Sequence, residues 1–343
     1  MLHFTFLIKQ IRRALYWAVL SISISSCSEG DESLSSERYM SIPIRWEITN
    51  KPTRAVIDSP LALQTACTPV SDGGEGMAIS VYGTHSSDGG TVVTDFDGVP
   101  LIYASKGSTA PHMWNYHVAD RYWSVGSIYD FFAYYPASAN GTKNVTSTSL
   151  SISNYSTMQQ EDLMTAYRQV NTADADFDPT KGVPMTLRHA LSSVSFQLKL
   201  KDNGIAYTNA YQAKSVSISN VYTQGDVSVN RNGAFSITPK GTLGSTGSIT
   251  DFDGAGVFTM SSSASSGSLL VMPQQSAAAQ LNIELEVNGN AISIQHDNWI
   301  VDWLPEHQYT YIIEIDPIRD ISITVVTTQW EEPDISDIII QTE

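Results

Sequence analysis

The sequence predicts an all-β protein built from two tandem β-sandwich domains. Apolar residues alternate with polar ones in short runs, and Gly, Asn and Ser turns separate these runs. No stretch repeats apolar residues at the spacing of a long helix. The chain has 343 residues, of which 42% are hydrophobic and 16% charged. That length suggests about two domains, and the composition is typical of an extracellular β protein.

Residues 1–27 have the features of a lipoprotein signal peptide. A basic region opens the segment, with Lys9, Arg12 and Arg13. The apolar stretch Ala14–Ile24 is too short to span a bilayer, and Cys27 follows it as the candidate lipidation site. The alternative is a plain secretory signal in which this cysteine is incidental. If Cys27 is lipidated, Cys67 is the only other cysteine, so no intrachain disulfide can form.

Residues 28–40 are polar and acidic without a period, which predicts a tether, and residues 41–178 are the predicted first domain. Its first strand contains four alternating apolar residues, Ile42, Ile44, Trp46 and Ile48. Pro43 in this run predicts an edge position. The exposed turn Asn50–Arg54 ends the strand. Further along, Asp97–Gly98 between two apolar runs predicts a hairpin turn, and Glu161–Tyr167 has a short helix-like pattern.

Residues 179–343 are the predicted second domain, following a linker rich in Pro and Asp. Met185–Leu200 is expected to be its first strand. The apolar positions of this stretch change from odd to even numbers near Ser192, which indicates a bulge or a passage from one sheet to another. Leu281–Val287 and Ala291–Ile294 flank Asn288–Gly289 and predict a hairpin.

The sequence argues against catalysis and against nucleic-acid binding. The formal net charge is −16, whereas nucleic-acid phosphates need clustered Lys and Arg. Neither a G-x-S-x-G elbow, nor a P-loop, nor a G-x-G-x-x-G motif occurs. We therefore predict no enzymatic activity and no cofactor.

Two acidic or histidine patterns fall short of metal sites. Asp174, Asp176 and Asp178 mimic the start of a calcium loop, but Pro179 and Met185 replace its Gly and its Glu. An acidic, solvated linker accounts for them better. His112 and His117 lie five residues apart and do not form a zinc-binding helix face. We predict no metal, and we expect His189 to be a packed, hydrogen-bonded side chain.

Six short stretches occur in order along the chain and together match one known family. They are FFAYYP at Phe131–Pro136, DLM-x-A at Asp162–Ala166, TLRHALSSVSFQL at Thr186–Leu198, LLVMPQ at Leu269–Gln274, the aromatic spacing of Trp303–Tyr311, and the closing Ile323–Glu331. With them the chain resembles the fimbrillin (Mfa-like) family, the subunits and associated lipoproteins of type V pili in Bacteroidia. The resemblance implies two transthyretin-like sandwiches in tandem.

The resemblance also implies a route of assembly at the cell surface. It suggests export to the outer membrane as a lipoprotein with a palmitate-type anchor on Cys27, followed by removal of the N-terminal strand by an Arg-specific protease. Arg54–Ala55 is the best match for the cleavage site, and Arg38 and Arg45 are weaker matches. The expected partners are this protease, the outer membrane through the lipid, other subunits in a homo- or hetero-polymer, and, for an adhesin, a host or bacterial glycan or protein.

Polymerisation by strand donation follows from the same resemblance. The expected donor is the C-terminal segment 334–343, which follows Pro333. Its apolar residues are Ile335, Ile338, Ile339 and Ile340. The alternative is that this run is the last edge strand of its own sandwich.

A second hypothesis is a glycan-binding or adhesive surface lipoprotein that does not polymerise. It depends on four aromatic residues, Trp114, Tyr116, Tyr122 and Trp123, which could stack on sugar rings. The alternative is that they fill the core and rim of the first domain.

Overall fold

Strands dominate the part of the chain that the structure describes. The computed structural model describes residues 39–50, 60–68, 78–87, 90–104, 113–116, 118–204, 206–316, 321–329 and 338–341. These residues contain 23 strands, one α-helix and two short 3₁₀ turns, so the all-β prediction is confirmed. Within these ranges no helix has the length and apolar character needed to cross a bilayer. The predicted signal peptide, and the tether up to residue 38, lie outside the described residues.

The first half of the fold comprises eleven strands, one helix and a 3₁₀ turn. In chain order they are β1 (Tyr39–Pro43), β2 (Trp46–Asn50), α1 (Pro60–Ala66), β3 (Ile79–Ser87), β4 (Val93–Ala104), β5 (Met113–Tyr116), β6 (Tyr122–Ser124), β7 (Ser127–Tyr135), β8 (Thr142–Val145), β9 (Ser149–Ser156), a 3₁₀ turn (Thr157–Gln159), β10 (Met164–Asn171) and β11 (Val183–His189).

The second half consists of strands and one further 3₁₀ turn. They are β12 (Ser192–Leu200), β13 (Tyr211–Ser219), β14 (Val221–Asn230), β15 (Phe235–Gly244), a 3₁₀ turn (Asp253–Gly256), β16 (Val257–Phe258), β17 (Ser263–Ser265), β18 (Leu269–Val271), β19 (Gln274–Val287), β20 (Asn290–Trp303), β21 (His307–Ile315), β22 (Ile321–Gln329) and β23 (Ile338–Gln341).

Seven strands of the first half close into a barrel, where the sequence predicts a sandwich. Their order is β10-β11-β2-β5-β4-β3-β7, and pairing of β7 with β10 completes the circle. Only the β11–β2 pair of this barrel is parallel. Because side chains alternate between the two faces of a strand, every second residue points into the barrel. Trp46, Phe96 and Phe131 are among the buried side chains that fill it.

Two local predictions in the first half are wrong. Asp97–Gly98 does not turn the chain, because β4 runs through it as one strand. Gly98 has a φ of 65°, and the register against β3 shifts between Val81 and Gly83, so the dipeptide forms a β-bulge. The helix-like Glu161–Tyr167 leads into strand β10, because pairing with β7 and β11 outweighs a short local propensity.

The phase change near Ser192 is a passage between sheets. β11 buries its odd-numbered residues in the barrel, while β12 pairs with β21 in another sheet and buries even-numbered ones. The first part of Met185–Leu200 is thus a barrel strand rather than the start of the second domain. A second pairing, of β9 with β14, also crosses residue 178. The boundary between residues 178 and 179 stays a prediction.

The second half contains a sandwich of two sheets that share one apolar core. One sheet has the order β17-β12-β21-β22-β23, with β18 also paired to β12, and the other has the order β16-β13-β19-β20. The predicted hairpin is confirmed, since Val287 pairs with Asn290 across a turn at Asn288 and Gly289. Those two residues have φ angles of 51° and 78°, as a two-residue hairpin turn requires.

A third sheet, of order β15-β14-β9-β8, packs on the outer face of the barrel. Its buried residues contact Phe132 and Tyr134 of β7, which point away from the barrel interior. Arg188 of β11 connects the halves, because its Nε donates to Glu306 Oε1 at 2.6 Å and its Nη1 to the Gly233 carbonyl at 2.9 Å.

Candidate functional site

The strand predicted to be displaced lies in two pieces, β1 and β2, with a break at Ile44–Arg45. Ile44, Trp46 and Ile48 are 0%, 3% and 3% exposed, whereas Ile42 in β1 is only half-buried. Pro43 ends β1, which pairs with β6 in a separate two-stranded sheet. The predicted edge position therefore holds for β1. It is wrong for β2, which lies between β11 and β5 because the barrel closes around it.

On one side, β2 is held by a backbone ladder. It pairs parallel with β11 from Trp46 opposite Val183 to Asn50 opposite Leu187. The Val183 amide also donates to the Arg45 carbonyl at 2.7 Å. At Gly182 an added Cβ would lie 2.8 Å from the Trp46 carbonyl carbon. Only glycine allows β11 to approach β2 this closely, and the sequence analysis missed this role.

On the other side, β2 is held mainly by side chains. Trp46 opposite Trp114 is the single residue pair between β2 and β5. Trp114 Nε1 donates to the Ile48 carbonyl at 3.2 Å, and the Tyr116 hydroxyl donates to the Ile44 carbonyl at 3.2 Å. These two aromatic residues thus satisfy backbone groups that a regular ladder would otherwise pair. Their alternation in MWNY was the only sequence signal for this role.

Trp46 occupies an aromatic pocket inside the barrel. Its ring meets the rings of Phe96 and Phe131 edge to face, with centroids 5.2 and 5.1 Å apart. Such T-shaped contacts add to the stabilisation from burial alone. Gly83 makes room for both phenylalanines, since an added Cβ would lie 2.8 Å from the Phe131 ring and 2.9 Å from Phe96.

The predicted processing and lipidation residues lie outside the described residues. These are Arg54, Ala55 and Cys27. The weaker candidate Arg45 is described, and it is restrained by the backbone hydrogen bonds around it: the Ile44 amide donates to the Arg121 carbonyl at 2.7 Å, and the Arg45 carbonyl accepts from Val183. Its guanidinium lies 3.7 Å from Asp120.

The C-terminal run forms strand β23, at the edge of its own sheet. β23 pairs antiparallel with β22, with Ile338 opposite Thr327, Ile339 opposite Val326 and Ile340 opposite Val325. Ile335 lies outside the described residues. This arrangement corresponds to the alternative in which the run is the last edge strand of its own sandwich.

The aromatic cluster does not form a surface for sugar rings. Trp114 is 3% and Trp123 1% exposed, whereas Tyr122 is 40% exposed, and Tyr116 is half-buried. Trp123 packs edge to face on Tyr129 at 4.9 Å. Both tryptophans of the glycan-binding hypothesis are therefore buried in the core and cannot stack on a sugar ring at the surface.

The polar candidates of the described chain have structural roles. His189 is buried, and its Nδ1 lies 2.9 Å from Asp162 Oδ1. Asp178 Oδ1 accepts hydrogen bonds from Thr180 Oγ1 at 2.6 Å and from its amide at 3.0 Å, and these bonds lower the pKa of Asp178. Among the described residues no cluster of three or more His, Cys, Asp or Glu side chains could hold a metal ion. His112 and His117 lie outside those residues.

A family model described as fimbrillin-like matches residues 65–330, well over half of the chain. The chain belongs to the fimbrillin-like family. This fimbrillin-like protein resembles a fimbrial protein from Bacteroides vulgatus, with a TM-score of 0.53 and 12% identity over 84% of this chain and 99% of that one. It also resembles a proposed cell adhesion protein from Bacteroides uniformis, with a TM-score of 0.50 and 20% identity over 84% and 99% of the two chains. No curated protein matches it.

At these identities the solved structures show a shared fold, and the family model shows the class. The chain's family is one of fimbrial structural and adhesion proteins and is not an enzyme family, and it implies association with surface fimbriae. The family model begins at residue 65, beyond β2. We call the groove between β11 and β5 that holds Ile44, Trp46 and Ile48 the β2 seat. Its assignment rests on the geometry of the barrel and not on the family match.

Proposed function

We propose that this protein is a pilin-type structural subunit of a type V fimbria. It is exported as a lipoprotein anchored through Cys27, cleaved after Arg54, and polymerised by strand donation. The observation that supports the proposal most directly is the seat of β2. Strand β2 and the two residues before it bury Ile44, Trp46 and Ile48 in a closed barrel. They precede residue 65, where the family match begins, and the chain reaches that residue through residues 51–64.

Removing β2 would leave an exposed apolar groove and unpaired backbone groups that a replacement strand could cover. Burial of three such side chains contributes roughly 5–9 kcal/mol as an upper estimate. Without β2, the backbone groups of β11 that pair with it would lose their partners. An open strand edge beside an apolar groove is a template for an incoming strand, which restores the ladder while its alternate side chains enter the pockets.

Arg54 is the best-placed arginine for release of β2. It follows the end of β2 at Asn50 and precedes the start of α1 at Pro60, so a cut there frees the whole strand. A cut at Arg45 would divide β1 from β2 and would require hydrogen bonds on both of its sides to open. Backbone that is held by hydrogen bonds resists proteolysis, and this disfavours cleavage at Arg45.

Donation between subunits, in a homo- or hetero-polymer, gives an open chain. The donor we propose is the C-terminal segment that includes β23. This segment separates from β22 and enters the β2 seat of a neighbouring subunit. Because the donor and the acceptor are different surfaces, the contact is head-to-tail, and such contacts yield filaments when the rotation does not close.

The test compares Arg54→Gln with Lys51→Gln, which removes the same charge from the same connection. We expect the wild-type and Lys51→Gln proteins to form SDS-resistant ladders from unboiled surface extracts, with an N-terminus at Ala55. Arg54→Gln should retain residues 28–54 and stay monomeric, because β2 still occupies its seat. Ladders of normal length from uncleaved Arg54→Gln protein would refute the proposal.

A further inference from the structure

We propose that the β2 seat selects a donor strand carrying an aromatic side chain between two aliphatic ones. Its occupant in the fimbria is then a strand from a subunit of another sequence, not from a second copy of this chain. This inference rests on the proposed function, and it names the partner of the same site. The C-terminal run of this chain then serves as the donor for a neighbour whose seat takes aliphatic side chains.

The pocket under Trp46 is built for a ring. Trp46 is 3% exposed. Its ring packs edge to face against the rings of Phe96 and Phe131, with centroids 5.2 and 5.1 Å apart. Phe96 in turn packs edge to face on Tyr116, with ring centroids 5.4 Å apart, and Gly83 leaves the space that the two phenylalanine rings occupy. Aromatic pairs in this geometry gain from the alignment of ring edge and ring face, which an aliphatic side chain cannot reproduce.

The pocket recognises the ring and not the indole N–H. Trp46 Nε1 is buried, and among the described residues no atom accepts a hydrogen bond from it. A phenylalanine would fill the same space without burying an unpaired donor. The positions on either side take aliphatic side chains, because Ile44 and Ile48 are 0% and 3% exposed.

The C-terminal run of this chain matches the seat poorly in every register. One face of an extended strand over Asp334–Glu343 carries Ile335, Asp337, Ile339, Gln341 and Glu343, and the other carries Asp334, Ser336, Ile338, Ile340 and Thr342. If Ile335 and Ile339 took the flanking positions, a carboxylate would be buried in the aromatic pocket, which is strongly unfavourable without a charged partner. Every other register of three alternate residues buries at least one Asp, Ser, Thr, Gln or Glu side chain, and none places an aromatic side chain in the pocket. This mismatch does not depend on the direction of the incoming strand.

An isoleucine in the ring pocket would leave Phe96 and Phe131 without part of their contacts. Voids of that kind in a packed interior carry a cost from both lost burial and lost dispersion contacts. We therefore expect a donor with a central aromatic residue to bind at least about 10-fold more tightly than its aliphatic counterpart.

The test uses the full chain cut only at Arg54–Ala55, with residues up to Arg54 still seated. Synthetic peptides compete for the seat, and the released segment is quantified by mass spectrometry. One peptide is the native tail 333–343, and a second carries Ser336→Ile, which gives three aliphatic residues on one face. Two more add Ile338→Trp or Ile338→Phe to that change, and residues 41–50 serve as the reference strand.

Each outcome decides between the proposals. The inference predicts that the Ile338→Trp and Ile338→Phe peptides release the segment at concentrations at least about 10-fold lower than the matched Ser336→Ile peptide. Equal potency of the aromatic and aliphatic peptides, with exchange by the reference strand, would overturn the inference alone. If not even the reference strand exchanges, strand donation into this seat fails, and the proposed function fails with it.

Discussion

Trp123 is a packing residue whose ring is enclosed by other rings. It is 1% exposed and contacts Tyr129 and Phe177 edge to face at 4.9 and 5.0 Å. The neighbouring Tyr122 points outward and is 40% exposed. These adjacent residues therefore form a natural pair of variants that separates a core role from a surface role.

We expect Trp123→Ala to lower the free energy of unfolding by about 3–5 kcal/mol, because it removes a large buried ring and leaves a cavity. Tyr122→Ala should change it by no more than about 0.5 kcal/mol, as is usual for exposed positions. Urea unfolding of both variants measures the difference. If Trp123→Ala unfolds at the same urea midpoint as the wild-type protein, the side chain does not pack in the core, and the sugar-stacking hypothesis stands again.

Residue patterns predicted burial well and backbone roles poorly. Alternation alone identified Ile44, Trp46 and Ile48 as inward-facing, because side chains of a strand must alternate between faces. Asp97–Gly98 was misjudged, since Gly at positive φ is needed equally by a hairpin turn and by a β-bulge. Which of the two forms depends on the partner strand, which a local pattern does not contain.

Helix α1 is the element that adjoins both the barrel and the proposed cleavage site. It contacts β2, and it buries Leu63 in the barrel core, with Cys67 directly after its last turn. Cys67 is 0% exposed, and burial raises the pKa of its thiol to about 12. The thiol therefore reports whether α1 and its surroundings stay closed.

In full-length Cys27→Ser protein at pH 8, we expect Cys67 to react with iodoacetamide at least about 100-fold more slowly than in the urea-unfolded chain, because thiolate is the nucleophile and little of it forms below the raised pKa. The rate should rise as the pH approaches 12, where the thiol ionises. Alkylation kinetics followed by mass spectrometry provide the measurement, with the Cys27→Ser/Cys67→Ser protein as the unlabelled control. Equal rates in the native and unfolded chains would show that Cys67 is not protected in the folded protein.

Element order was predicted better than element partnership. The odd-to-even change near Ser192 correctly marked a passage between sheets. β11 buries odd-numbered residues and β12 buries even-numbered ones, so the two segments face different cores. No local pattern indicates that β11 lies beside β2, since parallel pairing brings together segments far apart in the chain. For the same reason, the role of Gly182 against β2 was invisible before the structure.

At the scale of the whole molecule, the first question is attachment to the membrane. We expect Cys27→Ser to release the precursor from the membrane fraction, because stable anchoring needs the acyl chains that this cysteine would carry. Wild-type protein should incorporate a palmitate analogue, and Cys67→Ser should incorporate it equally. Absence of label from the wild-type protein would contradict lipidation and leave a plain secretory signal.

The second question is whether the C-terminal strand belongs to its own subunit or to the next. In the structure β23 adds to β22 at the edge of a sheet, while β22 keeps a complete ladder with β21, from His307 opposite Gln329 to Ile315 opposite Ile321. Loss of β23 therefore removes an outer strand without breaking the sandwich beneath it. A strand in that position can leave without breaking the β21–β22 ladder, as a donor strand must.

Deletion of Ile335–Glu343 should therefore give monomers that fold and reach the surface but form no SDS-resistant ladder, because the seat of each neighbour receives no strand. Deletion of Thr342–Glu343 alone keeps β23 and should leave the ladder intact. Unboiled electrophoresis of surface extracts reads the polymer, and thermal unfolding of the purified monomer reads the fold. If the longer deletion polymerises normally, the donor lies elsewhere in the chain. If it unfolds, β23 is a structural strand of its own sandwich, and the assignment of the tail as donor is wrong.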